Sequence, residues 1–303
     1  MEESGASGVK VGHCEMDRIG LAWLEQSIAA STERVAVVVL NTPQRAAFLR
    51  KLWSLPQTAI RVAADGGANR LACAAPELTP EVVVGDMDSA SPAVLRDFAA
   101  RGVKVLDQHE DQDSTDFEKA LHVVIAHGGC DRVYVLGEAA GVDGRLDHLF
   151  ATLCVLVAFQ HRLRILVVSD KCALQMVSEP TDGALRSAHA LQAIPGCHCG
   201  LVPIGRPCRA VTTRGLEYDM DETPMAYGGL VSACNIARAN VIQVTTADPL
   251  LWTITFDADQ ASGAATSTGP SRGGARDWSA AAIGMVVGGV LVAFVRGRRG
   301  RLV

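Results

Sequence analysis

The sequence has no excess of basic residues: 28 Lys and Arg stand against 33 Asp and Glu, a formal charge of -5. No general positive field exists to grip a phosphodiester backbone, so nucleic acid is excluded as the main partner, although small anions can still bind locally. Paired CxxC spacing is also missing. Nine cysteines are an odd number scattered over a long chain, which argues against a disulfide scaffold and fits a reducing, cytoplasmic compartment. Cys197, His198 and Cys199, with Cys208 after them, have the residue types of a zinc site without its spacing, and buried free thiols are the better reading. The first thirty residues carry no basic stretch followed by an apolar run, so secretion is not expected. Neither GxxxxGK[ST] nor a clean GxGxxG occurs, and no internal repeat is apparent.

Apolar residues are plentiful, at 49% of 303, enough for two units at roughly 100 to 200 residues per domain. After an N-terminal extension, 1–33, short β-branched runs alternate with helical stretches. That alternation predicts an α/β domain with a parallel sheet over 34–180. Its strands are read at 35–40, 60–64, 82–85, 103–106, 133–137 and 163–169. Helices are read at 43–53, 92–101, 114–127 and 147–161, two of them opening with proline in the first turn. From 181 to 257 short strands separated by Gly, Pro and charged turns predict an all-β, antiparallel sandwich or barrel. Residues 258–277, rich in Gly, Ser, Ala and Thr, read as a flexible linker.

The informative feature is where the acids fall. Asp65 follows the second strand in Asp65-Gly66-Gly67-Ala68-Asn69-Arg70, Asp86 and Asp88 follow the third, and Asp111, Asp113 and Asp116 follow the fourth. Carboxyl ends of strands in an open parallel sheet form the ligand crevice, so these acids are expected to converge. Converged carboxylates repel, and a hard cation such as Mg²⁺ bridging them to substrate phosphates is the usual compensation. Ordinary turn and cap roles compete with this: Thr115 or Ser114 with Glu118 fits a helix cap as well as catalysis, and Asp65 before two glycines fits a turn. A glycine-rich stretch, 137–145, lies between strand and helix and suits a phosphate chain. Arg145 is placed there to clamp the transferring group, with Asp147 and His148 to position metal or ribose.

These segments, in this order, resemble the thiamine pyrophosphokinase family. Further matching stretches are Gly144-Arg145-Leu146-Asp147-His148, Cys199-Gly200-Leu201-Val202-Pro203-Ile204-Gly205, Val211-Thr212-Thr213-Arg214-Gly215-Leu216, Leu230-Val231-Ser232-Ala233-Cys234-Asn235 and Pro249-Leu250-Leu251-Trp252-Thr253. The resemblance spans about 34–256. It implies an α/β nucleotide-binding domain, a C-terminal β-sandwich, and a homodimer with active sites between subunits. The activity implied is Mg²⁺-dependent transfer of pyrophosphate from ATP to the hydroxyl of thiamine. It further implies a metal on Asp86, Asp88 and Asp116, with Asp113, Arg145 and Asp147 completing the catalytic set. ATP would meet Asp65, Gly66, Asn69, Arg70, Gly144 and His148; thiamine would lie against Gln112, Tyr218, Leu230, Ser232 and Asn235. The hydroxyl proton would go to Asp113 or Asp116. The chain departs from the pattern where Glu138 interrupts a glycine doublet, where the loop before Gly144 is about three residues longer, and at Tyr218, where related sequences often carry Trp. Rival readings are a pyrophosphokinase for another alcohol, such as a pterin, on the same scaffold, and a non-catalytic thiamine-binding membrane protein.

The run 280–295 is uncharged. From Trp278 to Val295 a helix rising about 1.5 Å per residue approaches the roughly 30 Å hydrocarbon thickness, at the short end of the spanning range. It is read as a membrane anchor, 278–295, with a basic tail, 296–303, tethering the enzyme to a cytosolic face. A C-terminal hydrophobic helix packed on the dimer is the competing reading.

Overall fold

The computed structural model describes residues 9–29, 33–137, 146–177 and 186–256. In chain order the elements are α1 (Val9–Ala29), β1 (Val35–Val39), α2 (Ala46–Trp53), β2 (Thr58–Ala64), α3 (Gly67–Ala74), β3 (Val82–Gly85), α4 (Pro92–Ala100), β4 (Lys104–Asp107), α5 (Asp116–His127), β5 (Arg132–Leu136), α6 (Leu146–Phe159) and β6 (Arg164–Val168). Strands follow: β7 (Cys172–Val177), β8 (Ser187–Gln192), β9 (His198–Pro203), β10 (Cys208–Arg214), β11 (Thr223–Met225), β12 (Ser232–Ile236), β13 (Val241–Thr246) and β14 (Leu250–Thr255).

Ten strands form one sheet in the order β12-β9-β14-β7-β6-β5-β1-β2-β3-β4. From β6 to β4 all neighbours are parallel. The order reverses at β1, which has β2 on one side and β5 on the other, and such a switch point opens a crevice outside the strand ends. β1 is buried along its whole length, which is why it reads as an unbroken Val/Ala run instead of an alternating one. One face of the sheet packs Phe48, Leu49, Leu71 and Phe98 from α2, α3 and α4. The other packs Phe117, Leu121, Val155 and Leu156 from α5 and α6.

The predicted sandwich exists, but one of its sheets is not separate. β7 turns back antiparallel on β6 and carries the parallel sheet into β14, β9 and β12. Only β11, β10, β13 and β8 make the second sheet. Leu201 and Trp252 from the first sheet share a core with Val211 and Val244 from the second.

Other details also differ from the sequence reading. The glycine-led stretch after Asp65 is helix α3, not only a turn. Pro92 does sit in the first turn of its helix, whereas Pro43 precedes α2, which starts at Ala46. The reason is the turn after β1, where Gln44 Nε2 bonds the Thr42 and Leu136 carbonyls at 2.9 and 3.1 Å and keeps this segment out of the helix. The N-terminal extension contributes α1, whose Trp23, Leu24 and Ile28 are buried. Trp23 donates from its indole to the Gln192 carbonyl at 3.0 Å and packs on Phe256 at 5.3 Å. No helix among the described residues is long and apolar enough to cross a membrane. The segments 258–277, 278–295 and 296–303 lie outside the described residues.

Candidate active site

Asp65 and Asp86 follow the ends of their strands, and Asp116 opens a helix. β2 ends on Asp65, whose φ of 42° puts a non-glycine residue in the left-handed region, a strain that needs support from its surroundings. The support is visible. The Asp65 amide donates to the Val84 carbonyl at 2.8 Å, and its buried carboxylate accepts from the Ser89 and Ala90 amides at 3.2 and 3.0 Å. Asp65 therefore pins the loop that carries Asp86 and Asp88. β3 ends on Gly85, where a side chain is impossible: a Cβ would lie 2.6 Å from Asp65 Cβ and 2.9 Å from Asp116 Oδ1. That missing methyl is what lets two carboxylates close over a strand end.

Asp116 opens α5. Thr115 caps the helix, with the Glu118 amide donating to Thr115 Oγ1 at 3.2 Å and the Thr115 amide to Glu118 Oε2 at 2.7 Å. The Thr115–Glu118 pair is thus a reciprocal cap that aims Asp116 at the neighbouring strands. Asp116 Oδ1 accepts from the Asp86 amide at 3.4 Å. One helical turn on, buried Lys119 places its ammonium 3.8 Å from the same oxygen.

Oxygens of Asp65, Asp86 and Asp116 lie within 4.8 Å of one another. Burial first, then the negative charges of Asp65 and Asp86, push the Asp116 carboxyl up to about 6, with Lys119 pulling the other way. The site therefore holds more negative charge than it compensates. An all-oxygen donor set suits a hard cation, and an octahedral Mg²⁺ with ligands at roughly 2.1 Å separates them by about 3 to 4 Å, so these residues fit that ion.

The cluster lines a crevice of about 420 Å³ together with Asn41 and Thr42 after β1, Asp88, and His148 and Thr152 on α6. A second crevice of about 580 Å³ shares Asn41 and Ser89 with it and runs past Asn69, Arg70 and Cys73. There Arg70 Nε bonds Asn41 Oδ1 at 2.9 Å, and Asn69 bonds the Ser89 carbonyl and the Ser91 amide, both at 2.8 Å. Gly66, the residue before α3, is buried.

Sequence-predicted residues divide into four groups. Asp65, Asp86, Asp88, Asp116 and His148 come together, with Asp65 in the tight oxygen cluster where the sequence reading had Asp88. Gln112 and Asp113 are exposed on the loop before α5 and are not among the crevice-lining residues; Gln112 donates to the His109 carbonyl at 2.8 Å. Asp147 is exposed beside His148, while Gly144 and Arg145 lie outside the described residues. Tyr218, Leu230, Ser232 and Asn235 gather on and beside β12, at the far edge of the long sheet. Asn41, Thr42 and Lys119 were missed. Asn41 and Thr42 follow the end of β1, so the strand-end rule that found the acids could have found them.

As for zinc, Cys197, Cys199 and Cys208 are buried and joined in no disulfide. The carboxylate cluster is the one group of metal-type ligands found among the described residues.

A parallel sheet with a carboxylate-lined crevice at its switch point belongs to the α/β class whose strand ends hold ligands. The comparisons make this specific. A family model described as thiamin pyrophosphokinase, catalytic domain, matches residues 49–167, and one described as thiamin pyrophosphokinase, vitamin B1 binding domain, matches 188–251. Thiamine pyrophosphokinase 1 of Oryza sativa subsp. japonica is 35% identical over 237 residues, covering 73% of this chain and 87% of that one. Thiamine pyrophosphokinase 1 of Arabidopsis thaliana is 35% identical over 240 residues, covering 74% and 86%. Thiamin pyrophosphokinase from Candida albicans shares the fold with a TM-score of 0.64 at 20% identity, over 78% of this chain and 92% of that one. The chain belongs to the thiamine pyrophosphokinase family.

Proposed function

We propose that this chain transfers the terminal pyrophosphate of ATP to the hydroxyl of thiamine, giving thiamine diphosphate and AMP. The observation that carries the proposal is the meeting of Asp65, Asp86 and Asp116 at the ends of β2 and β3 and the start of α5, in a chain of this family. Asp86, Asp116 and Asp65 would hold Mg²⁺, with Asp88 beside them facing the phosphates. The ion would neutralise charge on the pyrophosphate as it transfers. The thiamine oxygen forms a bond to the β-phosphorus, the bridge oxygen between α- and β-phosphorus leaves with AMP, and the hydroxyl proton passes to a carboxylate. Of the two candidates for that proton, Asp116 lines the crevice and Asp113 does not.

The same reading includes a homodimer with shared sites. Seven strand spacings separate β12 from β2, roughly 35 Å at about 4.8 Å each. That separation along the sheet supports a reading in which the acids and the Tyr218–Asn235 region of one copy serve different sites, a second copy supplying the other half of each. α6 offers an apolar stripe for such contact: Leu146, Phe150, Cys154 and Ala158 are all exposed at four-residue spacing.

Incubation with thiamine, ATP and Mg²⁺ tests the activity. Thiamine diphosphate and AMP are expected; ADP would assign a different transfer. The tether at 278–295 rests on its sequence, and the free thiols of the described residues accord with a cytosolic setting. Resistance of the full chain to carbonate extraction from membranes is expected, and release into the supernatant removes the tether.

A further inference from the structure

We infer that Asn235 is a positioning residue that fixes Tyr218 and Ser232, not a contact with the ligand; the inference rests on the functional reading above. An asparagine side chain offers two N–H donors and an oxygen with two lone pairs. All four are taken here. Oδ1 accepts from the backbone amides of Tyr218 at 3.1 Å and Ile236 at 2.9 Å. Nδ2 donates to the Tyr218 carbonyl at 3.0 Å and to Ser232 Oγ at 3.2 Å. The residue is 3% exposed, so it has neither surface nor spare hydrogen-bonding capacity for a pyrimidine.

What Asn235 holds is an exposed aromatic ring. Both backbone polar groups of Tyr218 end on one side-chain amide, which stands in for a neighbouring strand. The rest of the loop is fixed by Asp219, which accepts from the Gly215 and Leu216 amides at 3.1 Å each and from Thr213 Oγ1 at 3.0 Å. The Tyr218 ring, 66% exposed, thus stands on an immobilised backbone, and a flat cationic ligand stacking on it orders little else. Ser232 is set by the same side chain. The pairing of β12 with β9 is bulged between Ser232 and Asn235, and Cys234 sits there at φ 63°, a conformation that persists only where neighbours over-determine it.

A double-mutant cycle separates positioning from contact. Thiamine is titrated calorimetrically into the full chain, its Tyr218→Ala and Asn235→Ala variants, and the double variant, with folding checked by thermal melting. Each single change is expected to weaken thiamine binding about tenfold, and the double change to be no worse than the weaker single within about twofold. In turnover, KM for thiamine rises while kcat and KM for ATP stay within about threefold. Losses that multiply to about a hundredfold would mean independent contact and overturn the proposal, as would unchanged affinity in Asn235→Ala. Should that variant not fold, Asn235→Asp keeps the two accepted bonds, loses the donors to Tyr218 and Ser232, and is expected to couple to Tyr218→Ala in the same way; additive losses overturn the proposal. A coupled binding cycle in a chain that forms no thiamine diphosphate would sink the functional reading and leave the positioning role standing. No thiamine binding by the unsubstituted chain sinks both.

Discussion

The two ends of the ten-stranded sheet solve opposite problems. At β2 and β3, three carboxylates are forced together with one buried lysine in reach, and burial first, then the excess charge, raises the Asp116 pKa. At β12, the buried polar side chain Asn235 has every hydrogen bond satisfied. The first end is incomplete until something positive arrives. The second is finished beforehand and presents a ring. The acidic end stores repulsion, whereas the β12 end stores rigidity.

The contrast can be attacked from several sides. The largest effect is expected at the acidic end: Asp86→Asn lowers kcat by roughly a thousandfold with an unchanged far-ultraviolet spectrum, and near-normal turnover at saturating Mg²⁺ removes the residue from the machinery. Next comes a mixing experiment. Asp86→Asn chains co-expressed with Tyr218→Ala/Ser232→Ala chains, assayed at thiamine well below the raised KM of the latter, should recover about a quarter of the unsubstituted activity, because half of randomly paired dimers are mixed and each holds one whole site. Recovery at background level places both ends of one site in a single chain.

Smaller effects concern stability. Gly85→Ala, with its Cβ driven against Asp65 and Asp116, should cost about 1–3 kcal/mol in urea unfolding and weaken Mg²⁺ binding. The sign of the pH effect follows from Asp116. Its folded pKa, about 6, lies above the ordinary value of 3.8 for an aspartate, so its contribution is fully present below the unfolded value and lost as pH rises through 6. Without Mg²⁺, Asp116→Asn should therefore melt higher than the unsubstituted protein at pH 7.5, and the gap should close towards pH 4. A gap independent of pH would show that repulsion at this carboxylate is not the cause. Thr115→Ala, which removes the cap of α5, should cost about 1 kcal/mol.

The parallel half of the fold was legible because its strands are short apolar runs closed by glycine or acid, and the acids were legible because strand ends converge. The place of Asp65 in the carboxylate cluster was not readable, because its burial and its closeness to Asp116 arise only once Gly85 lets two elements touch. The joining of β7 to β6 was not readable, since which strand pairs with which is decided by contacts far along the chain. Asn235 was recognisable as a site residue, but its role depends on four partners, two of which lie on a loop seventeen residues earlier.

The place of β14 has a consequence for biosynthesis. It is the last strand of the described chain, yet it lies inside the long sheet between β7 and β9. Until about residue 255 leaves the ribosome, those two strands are open edges with nothing between them, the kind of exposed ladder that invites pairing with the wrong chain. The parallel half can assemble while translation continues. The edge bearing Tyr218 and Asn235 can join it only after β14 has been made, so a nascent chain stalled before that point would have the acidic crevice and an unjoined β12 edge.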